Sequence, residues 1–127
     1  AATDVTGFGL ARHAQNLALR LGVTGCVIDL SSLPLLSGVK ELLAAGMTSS
    51  LHPQNRRAVK IPDNDLADDM RFEALFDPQT SGGLLGVFAK SDAENALQTL
   101  QQTNHQAAII GRCDAQTNGV KIVSGGW

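Results

Sequence analysis

Apolar positions recur at helical spacing early in the chain: Leu10, Ala14, Leu17, Ala18 and Leu21 share one face, and Gly22 supplies a stop. This predicts a first helix, with Thr3, Asp4 and Thr6 upstream as three candidate N-caps. The run GCVIDL, Gly25 to Leu30, reads as a short strand. Ser31 to Pro34 then start a second helix with the face Leu35, Leu36, Val39, Leu42 and Leu43, ended by Gly46. Residues 47–64 hold two prolines and no sustained period, which predicts loop with a short helical turn from Pro53. Residues 65–76 read as a helix from Asp65 running into an extended piece at Ala74 to Phe76.

The segment DPQTSGG, Asp77 to Gly83, is a turn by composition. Leu84 to Ala89 is apolar on both faces and predicts a buried strand. Ser91 and Glu94 make a capping box for a third helix with the stripe Ala93, Ala96, Leu97 and Leu100. Ala107 to Cys113 predicts a strand, and Asn118-Gly119 predicts a hairpin turn into a last strand, Val120 to Val123. Helices mixed with strands, without strict βα alternation, predict an α+β fold. The expectation is one domain with a mixed or antiparallel sheet packed by about three helices.

Length and composition narrow the picture only a little. A chain of 127 residues holds one domain with a real core. A net charge of −2 provides no electrostatic attraction for nucleic acid or an anionic membrane, and neither is expected as a partner. No apolar run approaches the roughly 20 residues of a membrane span, and the N-terminal residues do not read as a signal peptide. Cys26 and Cys113, each in an apolar strand-like run, are expected to be two buried thiols in a reducing compartment. With four Phe, one Trp and no Tyr, the core must be mostly aliphatic.

Several standard sites fail on their residues. Gly7-Phe8-Gly9 lacks the third glycine of a dinucleotide fingerprint, Arg12 standing in its place, and no phosphate-cradling lysine loop exists. Asp63, Asp65, Asp68 and Asp69 lack the glycine and glutamate of a calcium loop and read as a solvated acidic face. His13, His52 and His105 have no metal-ligand spacing. Two clusters survive. In Thr3-Asp4-Val5-Thr6-Gly7-Phe8-Gly9, the residues leave open plain N-capping or a phosphate and Mg²⁺ role at a helix N-terminus. In Asp77-Pro78-Gln79-Thr80-Ser81-Gly82-Gly83, a structural turn and a ligand-facing loop stand equally open.

Together, TDVTGFGL near the start and DPQTSGGLL about seventy residues later resemble the C-terminal domain of the selenophosphate synthetase (selenide, water dikinase) family. The intervening LPLLSGVKELLAAGMTSSLHPQNRR is similar too, so the resemblance covers nearly the whole chain. It implies the fold of the C-terminal domain of the aminoimidazole ribonucleotide synthetase superfamily. It also implies part of an ATP-dependent phosphotransferase that makes selenophosphate from selenide, ATP and water, releasing AMP and phosphate. On that basis Asp4 is the expected Mg²⁺ ligand, and Thr3, Thr6, Gly7, Asp77, Thr80, Ser81 and Gly82 are expected to face ATP or phosphate.

The family's catalytic cysteine or selenocysteine, its lysine, its glycine-rich segment and its other metal aspartates belong to an N-terminal ATP-binding domain. No catalytic residue is therefore expected in residues 1–127, and neither Cys26 nor Cys113 inherits that role. The resemblance implies that the chain starts at a domain boundary, with Asp4 facing an N-terminal partner domain absent from these residues. The full-length protein is expected to be a cytoplasmic homodimer acting on ATP and selenide, and the fragment a monomer that is inactive alone. Two alternatives are another ATP-dependent synthetase or kinase of the superfamily, and a non-catalytic interaction module that keeps the fold.

Overall fold

In chain order the elements are β1 (Ala2–Asp4), α1 (Gly9–Arg20), β2 (Gly25–Asp29), a 3-10 turn (Leu30–Ser32), α2 (Val39–Ala44), α3 (His52–Arg57), α4 (Met70–Ala74), β3 (Leu84–Gly86), α5 (Ala93–Gln102), β4 (Gly111–Cys113) and β5 (Gly119–Val123). The computed structural model describes residues 1–62, 65–103 and 105–127. Strand β2 is buried along its whole length and forms the centre of a mixed sheet, with β4 antiparallel on one side and β5 parallel on the other. β1 and β3 form a separate antiparallel pair. The α+β class holds, with two small sheets and five α-helices among the described residues where about three helices were expected.

The core forms where α1 lies on the mixed sheet. Ala11 and Ala18 are buried in one cluster with Cys26, Ile28, Val120 and Ile122, which Leu30, Val59, Phe72, Leu75 and Phe76 share. Burial of this apolar surface drives the assembly. Helix α1 stops as its pattern predicts, with Gly22 at φ 77° and the N–H groups of Gly22 and Val23 satisfied by Leu19 and Ala18 carbonyls.

The predicted hairpin at Asn118-Gly119 does not form. β4 and β5 are not neighbours; each pairs with β2 instead. A hairpin would leave β2, the strand buried at every position, with an unpaired edge. The link crosses the start of β2 through a turn built on Asp114, whose carboxylate accepts from the Gln116 N–H and the Thr117 hydroxyl.

Other boundaries shift for local reasons. The second helix begins at Val39, not at Ser31 to Pro34. Buried Asp29 captures the Ser31 N–H and both the Ser31 and Ser32 hydroxyls, which winds that segment into the 3-10 turn. Burial acts to raise the pKa of Asp29, but donors from Ser32, Ser31, Gly125 and Trp127 prevail and hold the carboxyl well below the usual range. The Gly125 N–H also ties the C-terminal segment to the end of β2, 2.7 Å from Asp29 Oδ1.

The short helical turn expected from Pro53 is α3, with Pro53 in its first turn. In 65–76 the helix is shorter than expected, and Ala74 to Phe76 are not extended, because Asp69 caps α4 at the Arg71 N–H and the helical turn continues to Leu75. Asp69 also grips the Arg71 guanidinium at 2.6 Å, so it is not simply part of a solvated face. Asp65 and Asp68 are exposed, and Asp63 lies outside the described residues.

The capping box does not close: α5 has Asp92 at its N-cap with no side-chain bond, since Ser91 Oγ donates to the Asp92 carboxylate instead. The buried strand expected at Leu84 to Ala89 is only the three residues of β3, with Leu84 85% exposed and Phe88 54% exposed, because β3 pairs with β1 alone. β4 is likewise shorter than Ala107 to Cys113. Cys26 is buried as expected, whereas Cys113 on the edge strand is only half-buried.

Candidate functional site

The two sequence clusters meet side by side. β1 and β3 pair in the register Ala2 with Gly86, Thr3 with Leu85 and Asp4 with Leu84. Beyond the ladder, the Val5 N–H donates to the Gly83 carbonyl at 2.9 Å and the Gln79 N–H to the Thr6 carbonyl at 3.1 Å. Gly82 makes this approach possible, since a Cβ there would stand 2.2 Å from the Val5 carbonyl oxygen. Gly9 plays the same part at the start of α1. Its φ is 78°, and a Cβ would lie 2.8 Å from the Leu75 carbonyl oxygen, which accepts the Ala11 N–H.

A third segment braces the junction from behind. Asn55 on α3 is 5% exposed, and its side-chain amide donates to the Gly7 carbonyl at 2.9 Å and to the Phe76 carbonyl at 3.0 Å. One turn earlier on the same helix, His52 Nε2 lies 2.7 Å from Glu73 Oε2, with its ring edge-on to Phe76. The other oxygen of Glu73 meets Arg56 at 3.3 Å. One short helix thus holds the first cluster at Gly7 and the residue just before the second, Phe76. Asn55 carries no motif signal, and His52 stands in the sequence only as a histidine without metal-ligand spacing. The available signal was their i, i+3 spacing in a segment that otherwise lacks an apolar face.

The candidate residues take distinct positions. Asp4 is exposed at the end of β1 and makes no ion pair or hydrogen bond through its carboxylate among the described residues. The N-capping reading is overturned: α1 starts at Gly9 with Phe8 at its N-cap and no side-chain cap, while Thr3 and Asp4 lie in β1. Thr6, just before the helix, uses its N–H to donate to His13 Nε2 at 3.1 Å, with its hydroxyl 3.0 Å from the same nitrogen.

Thr3 lines a cleft of about 210 Å³ with Phe8, His13, Asn16, Leu17 and Arg20. Asp4, next along the strand, projects from the opposite face. Gly7 is exposed and gives its carbonyl to Asn55; Asp77 and Gly82 are half-buried; Thr80 and Ser81 are exposed. Ser81 sits at φ 55°, the only positive φ outside glycine among the described residues, at the tip of the loop that returns to β1.

The site therefore brings the exposed, unpaired carboxylate of Asp4 to the edge of a junction fixed by backbone pairing and Asn55, with the half-buried Asp77 on the adjoining loop. Among the described residues, no group of three or more His, Cys, Asp and Glu side chains could hold a metal ion. A single hard oxygen donor fits Mg²⁺ as one contributor, because that ion keeps several waters and is completed by phosphates and further carboxylates.

The AIR synthase related protein, C-terminal domain, matches residues 1–124. A selenide, water dikinase of Citrifermentans bemidjiense is 40% identical over 123 residues, covering 97% of this chain and 35% of the relative. The proteins of the same name from Campylobacter jejuni and Caldanaerobacter subterraneus are 37% and 36% identical, covering 96% and 88% of this chain and 35% and 33% of those relatives. The chain spans about a third of the length of these curated relatives. No helix among the described residues is long and apolar enough to cross a membrane. The match along nearly the full chain and the α+β fold agree: this chain belongs to the AIR synthase related protein C-terminal domain family.

Proposed function

We propose that this chain is the C-terminal part of a selenide, water dikinase, which makes selenophosphate from selenide, ATP and water with release of AMP and phosphate. The observation that carries the reading is the junction of the two motif segments, which leaves Asp4 exposed and unpaired where β1 meets the loop from Asp77 to Gly83. The names of the relatives support the substrate. In this proposal the chain closes against its own N-terminal ATP-binding domain, in a cytoplasmic full-length protein that is a homodimer.

The chemistry asks mainly for positioning and charge neutralisation. Mg²⁺ bound with ATP would supply neutralisation of the phosphate charge. Asp4 would hold one position on the ion, and the backbone pairing of Val5 with Gly83 and of Thr6 with Gln79 would keep that carboxylate and the Thr80–Gly82 loop in one frame. Asn55 orients the frame by fixing the carbonyls of Gly7 and Phe76. Thr6, Gly7, Asp77, Thr80, Ser81 and Gly82 form the surface offered to ATP or phosphate. Thr3 lies on the cleft side and reaches phosphate only from there.

Selenide-dependent AMP release by the full-length parent tests this reading. AMP formed only when selenide is present supports it, and ATP turnover indifferent to selenide moves the parent to another synthetase or kinase of the family. The 127-residue chain alone is expected to be a monomer without ATPase activity. Calorimetry with ATP and Mg²⁺ should give no micromolar affinity, because one carboxylate without further ligands binds Mg²⁺ poorly. Micromolar binding would show a self-contained site and overturn the division between domains.

A further inference from the structure

Two thiols stand face to face in the mixed sheet. Cys26 on β2 and Cys113 on β4 are direct partners in the antiparallel register. The bonds on either side define the kind of pair. The Asp114 N–H donates to the Gly25 carbonyl at 2.9 Å, and the Asp29 N–H to the Ile110 carbonyl at 2.8 Å, so the hydrogen-bonded pairs are Gly25 with Asp114, Val27 with Arg112, and Asp29 with Ile110. Cys26 and Cys113 occupy a non-hydrogen-bonded position between them. There the Cα atoms of facing residues lie about 4.5 Å apart and both side chains leave the same face. That separation falls within the range a disulfide spans. Both cysteines are reduced, Cys26 within the core and Cys113 packed against its margin on the edge strand.

We propose that Cys26 and Cys113 form a redox couple that closes to a cross-strand disulfide in the presence of a small-molecule disulfide, locking β4 onto β2. The half-buried Cys113 reacts first. Its thiolate attacks one sulfur of the small disulfide, forming a mixed disulfide and releasing one thiol. The Cys26 thiolate then attacks Sγ of Cys113 and expels the second thiol. The two cysteine thiols are oxidised, the small disulfide is reduced to two thiols, and the protons of the cysteines end on those products.

Burial, and secondarily the neighbouring Cys113, push the Cys26 thiol up to about 12, and burial raises Cys113 as well. Few thiolates exist near neutral pH, so closure is slow and the pair stays a dithiol through brief exposure to oxidant. Closure would join strands far apart in sequence without new backbone geometry, which restricts the unfolded chain most. The lock acts on the sheet that carries α1, and so on the element that begins at Gly9 beside the two motif loops.

The test is prolonged incubation of the native chain with oxidised glutathione, followed by intact mass, peptide mapping and thermal melting. The expected product has lost two hydrogen atoms, carries no glutathione, joins the Cys26 and Cys113 peptides and remains monomeric on a non-reducing gel. Its melting temperature should rise by on the order of 10 °C and fall back with dithiothreitol. Cys113→Ser should keep Cys26 reduced and lose the oxidant-dependent rise. A stable glutathione adduct on Cys113 beside a free Cys26, both thiols untouched, or cross-linked dimers would overturn the couple. A joined pair with an unchanged or lowered melting temperature would overturn the lock.

Discussion

Asp4→Asn in the full-length parent should lower selenide-dependent AMP release by about a hundredfold or more, which corresponds to several kcal/mol of lost transition-state stabilisation. The same variant should melt within about 2 °C of the native protein, as surface substitutions without special partners do. The structure separates these effects. Asp4 lies in β1, five residues before α1 begins, so it supplies no helix cap. Its exposed carboxylate makes no ion pair among the described residues, and its pairing with Leu84 uses only the backbone. Asparagine keeps the shape and the backbone bonds and removes only the charge. Near-normal turnover at an unchanged melting temperature would take the metal role away from Asp4. A variant that lost stability along with activity would show a structural role not visible in its contacts.

Asn55→Ala should destabilise the chain by about 2 to 4 kcal/mol, because two carbonyls lose their shared donor and one of those bonds is fully buried. On a domain of this size the melting temperature should fall by roughly 5 to 15 °C. Amide exchange should report where the loss falls. The N–H groups of Val5 and Gln79, which tie the two motif loops together, should exchange faster than those of β2, which are held by strands on both sides. Equal loss of protection in β2 would mean that Asn55 acts only on global stability. In the full-length parent, the same substitution should reduce turnover through displaced loops, and Asn55→Asp should not rescue it. A carboxylate facing two carbonyl oxygens has no proton to donate when ionised.

The outline of the fold was readable because it depends on local chemistry. The period of Leu10, Leu17 and Ala18 marks α1, and Gly22 ends it. The apolar run from Gly25 identifies the strand that becomes the centre of the sheet. Pro53 in a first turn announces α3. The errors fall where a distant partner decides. Leu84 to Ala89 has the composition of a buried strand, yet only β1 pairs with it and Leu84 stays in solvent. Asn118-Gly119 has hairpin chemistry, but the central strand offers two open edges and β4 and β5 take one each. The cap expected from Thr3, Asp4 or Thr6 is absent because the first three residues of that cluster are drawn towards β3 and Thr6 turns to His13.

The candidate site divides along the same line. By itself the sequence determined which residue types are present, that two short polar and glycine-rich segments stand out from an aliphatic background, and which family they resemble. Those are properties of composition and spacing. Only the tertiary structure decided that the two segments lie against each other, that Thr3 and Asp4 turn to opposite faces, and that Asn55 ties Gly7 to Phe76, just before the second segment. It also placed Cys26 opposite Cys113. Each of these follows from strand register or from a hydrogen bond between residues far apart in the chain. Such pairings are selected by what the whole core buries, and no local propensity encodes them.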